Sequence, residues 1–192
     1  MEFLKRNWMK LVAVILFSAV AVFALITSIN AFSTASALRD IPEAMRPALP
    51  GAPHEVALSQ ANAGAFTYLA IFLSCFFVIA AIKMKMFKLN RKISGIVLIA
   101  GSVVALTIFV TGIALGSDFI SMLSQNVDTA RQGYEAASGT PGEPLFLTGY
   151  RAARAAHITQ ISQVVIFIIV FGVAPLAMGI KKLFCSSCKE SK

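Results

Sequence analysis

The sequence predicts an all-α integral membrane protein. It is expected to be a four-helix transmembrane bundle with both termini cytoplasmic and helices two to four extending beyond the bilayer on the outer side. Three observations predict this. Of 192 residues, 57% are hydrophobic and only 14% are charged, where a soluble domain carries about 25% charged residues. The apolar residues gather in four runs close to the ~20 residues that a helix needs to cross a ~30 Å hydrocarbon core. The basic residues gather at one set of ends of those runs, as the positive-inside rule expects.

The first run is LVAVILFSAVAVFALITSI, residues 11–29. It follows basic residues and precedes ASA at 35–37, which resembles the outline of a cleaved signal. Its length exceeds the roughly 7–15 residues of a signal's apolar centre, so it reads as a retained membrane helix. The second, third and fourth runs cover residues 65–82, 93–115 and 161–180. None of the four contains Asp, Glu, Lys, Arg or His. In lipid the backbone must satisfy its own hydrogen bonds, so runs of this length read as helices. No internal repeat is evident, and the chain reads as one polytopic domain.

Between the first two spans lies an outer segment, residues 30–64. Pro42, Pro47, Pro50 and Pro53 interrupt its middle. The stretch after them reads as helix, with Pro53 suited to the first helical position. Glu55, Ser59 and Asn62 then share a face at i, i+4, i+7. Residues 83–92 form a short basic loop. The second outer segment, residues 116–160, keeps Phe119, Leu123 and Val127 four apart, so the third helix is expected to run on past the membrane. GTPGEP at 139–144 reads as a turn. YRAARAAHITQISQ is rich in helix formers and leads into the fourth span. Neither outer segment has enough apolar residues for a core of its own.

Charge sets the expected orientation. Twelve of the seventeen bases flank the two termini and the 83–92 loop, while Arg39, Arg46, Arg131, Arg151 and Arg154 lie opposite among seven acids. That places both termini and the 181–192 tail in the cytoplasm. Trp8 and Tyr68 fit interfacial aromatic positions. The net charge of +8 is explained by topology and lipid headgroups, without nucleic acid. The outer segments hold no cysteine and no N-x-S/T sequon. This points to a prokaryotic plasma (inner) membrane rather than an animal cell surface.

Intramembrane charges mark proton relays, ion paths and voltage sensors, and the four spans have none. There is no G-x-S-x-G, Walker A or H-E-x-x-H motif. The polar candidates lie at the outer level. Arg154, His157, Gln160 and Gln163 step by three into the fourth span. They read either as inter-helix hydrogen-bonding groups or as an outer pocket for a lipid, quinone or small solute, with Glu55 and Asn62 opposite. His54 and His157 read as two unrelated interfacial histidines. Gly112 and Gly116 permit close helix approach, within the bundle or between subunits. Pro175 should kink the fourth helix by removing a backbone donor.

The tail reads FCSSCKESK, with Cys185 and Cys188 in C-x-x-C spacing. In span count and this motif the chain resembles the four-span, quinone-linked thiol oxidoreductases of the DsbB and vitamin K epoxide reductase type. The resemblance implies reactive cysteines on the oxidising side and a second cysteine pair in an outer loop. Here the pair follows the last span on the expected inner side, and the outer segments have no cysteine. The activity is therefore not carried over, and a thiol oxidoreductase ranks third. Cys185 and Cys188 supply two of the four ligands that structural zinc needs. They read as a reduced, inert pair, and Cys75 reads as a small apolar residue of the second span. No cofactor is implied. The first functional expectation is a non-catalytic subunit, assembly factor or scaffold of a membrane complex, with a membrane protein or a second copy as partner. The second is outer-face binding or transport of a lipid, quinone or small solute.

Overall fold

The computed structural model describes residues 2–43, 54–86 and 91–190, with side chains described except at 2–6, 91 and 185–190. Every element among the described residues is helical: α1 (Glu2–Arg39), α2 (His54–Met86), α3 (Arg91–Leu115), α4 (Ser117–Ala137), α5 (Glu143–Phe167), a π-helical turn (Ile168–Val173) and α6 (Ala174–Glu190). Four helical stretches are long and apolar enough to cross a membrane, the last running unbroken through α5, the π turn and α6. The expected 83–92 loop and 181–192 tail lie partly outside the described residues, as do Arg46, Pro47, Pro50 and Pro53.

Two boundaries differ from the sequence reading. Helices two to four were expected to extend outward, but α1 also continues, to Arg39. Residues 30–39 contain neither Gly nor Pro, so nothing local ends the helix where the apolar run ends. The third helix was expected to run on without a break. It instead ends at Leu115, and α4 begins after Gly116, which has φ −95° and ψ 8°. The 33 residues of α2 span about 50 Å at 1.5 Å per residue, well beyond a ~30 Å hydrocarbon core.

α2 is the central helix. It buries 39% of its most apolar window, against 17% for α1 and for the last stretch. It packs against α1, α3, α4 and the π turn, whereas α1 packs extensively on α2 alone. The fourth stretch lies along α3 through α6 and the π turn. Lipid tails are as apolar as leucine, so helix association in a bilayer depends on close packing rather than on the hydrophobic effect. The interior reflects this. Among the described residues the buried ones are mostly Ala, Ser and Gly, with Phe109 the largest fully buried side chain. On α1 the contact stripe runs Ala21, Ala24, Ser28, Ala31, Ala35. Ala31 lies within reach of Gly64, and the Ser28 hydroxyl donates 2.9 Å to the Ala65 carbonyl. That spacing of three and four is the heptad seam of a left-handed helix pair.

α4 and α5 form an antiparallel hairpin. Gly139 turns the chain with φ +76°, a left-handed conformation that suits glycine at a helix C-terminus. Its N–H donates 2.8 Å to the Glu143 carboxylate. Tyr134 and Tyr150 stack across the hairpin with rings 6.2 Å apart and 7° from parallel. Arg131 donates 2.8 Å to Glu135 one turn on, and this bond raises the guanidinium's pKa. Both groups are largely exposed, so the pair adds little stability.

Candidate functional site

At the level where the second and fourth apolar runs begin and the third ends, a cleft of about 280 Å³ opens between α2, the α3–α4 junction and α5. Its wall on α2 is Gln60, Ala63, Gly64, Thr67 and Tyr68, and on α5 it is Gln160, Gln163, Val164 and Phe167. Gly112, Ile113, Gly116, Phe119 and Ile120 close it from α3 and α4.

The junction owes its shape to Ser59. The Phe119 N–H donates 3.3 Å to the Ser59 hydroxyl, which donates 3.0 Å to the Leu115 carbonyl. In an unbroken helix that N–H would bond that carbonyl directly. A side-chain hydroxyl from α2 thus sits inside the backbone ladder, a recognised cause of helix bending. The two glycines let the helices come close enough for this. A Cβ on Gly112 would lie 2.9 Å from the Phe66 Cβ, and one on Gly116 would lie 2.6 Å from the Ala63 Cβ. Both glycines therefore pack α3 against α2 of the same chain.

The sequence-predicted residues fall in several places. Gln160 and Gln163 line the cleft. Half-buried positions on α5 recur at Leu147, Tyr150, Ala153, His157 and Gln160, the stripe that faces α4. His157 lies on that stripe, outside the cleft lining, and Arg154 is exposed. Glu55, Ser59 and Asn62 were read as one face, but the neighbouring helices divide them. Glu55 is exposed, and Ser59 serves the α3–α4 junction. Asn62 is buried against α1, where it accepts 3.2 Å from Arg39 Nη2. At the start of α2, about two turns before it, His54 Nε2 lies 2.6 Å from the Leu38 carbonyl. The two histidines thus serve different contacts, one with α1 and one on the stripe toward α4.

Sequence reasoning missed Gln60, which contributes the third amide of the cleft. A signal was available: Gln60, Ala63, Gly64 and Thr67 lie at i, i+3, i+4, i+7, a polar and small stripe on the helix. It also missed the use made of Pro175. Proline has no N–H to return to the Phe171 carbonyl four residues earlier. That carbonyl accepts the Ser74 hydroxyl at 2.5 Å instead. Pro175 is buried and is the second residue of α6, two positions past the end of the π turn.

No charged side chain lines the cleft, and Tyr68 is the one lining residue that can ionise. The arrangement can offer hydrogen bonds and apolar contact, but no acid–base pair or nucleophile assembled with its base. Among the described residues no group of three His, Cys, Asp or Glu is placed to hold a metal. Cys185 and Cys188 lie on the backbone of α6, with side chains outside the described set. No protein-family model, curated protein or solved structure matches this chain.

Proposed function

We propose that this chain is a non-catalytic subunit, assembly factor or scaffold of a protein complex in a prokaryotic plasma membrane. Both termini would face the cytoplasm, and the α4–α5 hairpin would be its recognition arm on the outer side. The observation that carries the reading is the exposure of that arm. No residue of α5 is buried, and Leu145 is 77% exposed. A helix that buries no residue on its own chain has surface to offer to another. Arg151, Arg154 and Ile158 are exposed at i, i+3, i+7, so the arm presents basic groups beside an apolar side chain. The arm as a whole carries four acids and three arginines, so it is this local arginine pair on α5 that suits a membrane protein carrying acidic groups around an apolar strip. The charge-free spans, and a cleft lined by no charged side chain among the described residues, support a role without chemistry of its own.

Purification in mild detergent after crosslinking in cells tests this. The chain is expected to bring down one membrane protein at fixed stoichiometry, a second copy of itself included. The variant Arg151→Glu, Arg154→Glu, Ile158→Ser should lose that partner at least tenfold while keeping its helical circular dichroism. A chain that purifies alone, or a variant that retains its partner, would refute the proposal.

A further inference from the structure

The cleft supports a conclusion that does not depend on a protein partner. Its lining changes character along the membrane normal. Gln60 and Gln160 stand at its outer lip, just before the second and fourth apolar runs, and Gln163 follows inside the fourth run beside Val164; Phe167 lies about two turns deeper than Gln160, and Tyr68 about two turns deeper than Gln60. The chain provides no hydrogen-bond partner among the described residues for the side chains of Gln60, Tyr68, Gln160 or Gln163. These amides therefore do not act as inter-helix glue within the chain. They present N–H donors and carbonyl acceptors into a cleft whose walls carry no charge.

We infer that this cleft binds an uncharged amphiphile, with a carbonyl- or ester-bearing head at the three glutamines and an apolar chain running down past Val164 and Phe167. An amide lip recognises a neutral carbonyl by donating to it. It has no cation to offset the desolvation of a carboxylate or phosphate. The volume, about 280 Å³, lies near the lower end of small-molecule pockets, which run from about 300 Å³ upward. It therefore holds a head and the start of a chain, and the rest of the chain lies along the lipid-facing surface. Two sources have this chemistry: a membrane quinone and a neutral glycerolipid such as a diacylglycerol.

The full chain in phosphatidylcholine nanodiscs distinguishes them. Three photoreactive probes are compared: an azidoquinone with a short isoprenoid tail, a diazirine-tailed diacylglycerol and a diazirine-tailed fatty acid. One of the two neutral probes is expected to label peptides containing residues 60–68 and 160–167. Excess unlabelled quinone or diacylglycerol should compete, and the probe that labels names the source. The fatty acid should label those peptides no more than it labels residues 12–29, whose exposed side lies away from α2. Gln160→Leu with Gln163→Leu keeps the side-chain bulk, removes two amides and should lower labelling at least fivefold. Val164→Trp fills the cleft and should do the same, so misfolding of one variant leaves the other to decide. Labelling by both neutral probes at the level of residues 12–29 would overturn the inference. So would labelling that resists competition, equal labelling of both variants, or equal labelling by the carboxylate probe.

Discussion

Ser59 accepts the Phe119 N–H and donates to the Leu115 carbonyl, so it stands where an unbroken helix would place one hydrogen bond. Its removal leaves the two backbone groups a choice between pairing directly and remaining unpaired. Pairing is the cheaper course, because an unsatisfied buried group costs about 1–3 kcal/mol. Ser59→Ala is therefore expected to straighten the α3–α4 junction. Pulsed EPR between spin labels at Val110 and Asp128, both exposed, should report a longer distance in the variant, and an unchanged distance would show that Gly116 alone sets the bend. This bend was not legible from the sequence, because the inserted hydroxyl comes from a residue about sixty positions away. The same limit explains Asn62. Its helical face with Glu55 and Ser59 was readable, but which neighbour each would meet depends on where α1 lies. Gln160 and Gln163 were legible because polar side chains at the edge of an apolar run have few places to go.

At the scale of the element, the last helix shows how a local defect gains a distant partner. Pro175 was legible as a break in backbone pairing. The π turn before it and the Ser74 hydroxyl that takes the freed Phe171 carbonyl were not, since Ser74 lies 97 residues earlier. The two are expected to be energetically coupled. Ser74→Ala should cost about 1 kcal/mol in the natural background. In a Pro175→Ala background the residue 175 N–H can bond the Phe171 carbonyl, and the same change should cost less than about 0.5 kcal/mol, within additivity error. Unfolding of all four forms in mixed micelles measures the cycle, and equal costs would show that Ser74 acts independently of the proline. α1 offers the opposite lesson. Its seam of Ala21, Ala24, Ser28, Ala31 and Ala35 is plain at heptad spacing. Read as a packing stripe rather than as part of an apolar run, it extends the first helix beyond residue 29.

The whole molecule is arranged around α2, with α1 on one side, α3 and the last helix on the other, and the α4–α5 arm continuing from the junction. The proposed orientation predicts a labelling pattern. In a Cys75→Ala, Cys185→Ser, Cys188→Ser background, Ser124→Cys should react with an impermeant maleimide in intact cells. Lys85→Cys should react only after permeabilisation, and the reverse pattern would invert the topology. Span number was legible because a hydrocarbon core demands long charge-free runs. The order of packing was not, because small residues line every helix and composition alone does not pair them. The broken junction also has a mechanical consequence. α4 holds 21 residues, so it is a lever about 30 Å long, hinged where Ser59 interrupts the ladder. A rotation of about 10° there carries the far end of the arm through about 5 Å. Gly116, at the fulcrum, also lines the cleft, so any such rotation would change the width of the cleft and the reach of the arm together.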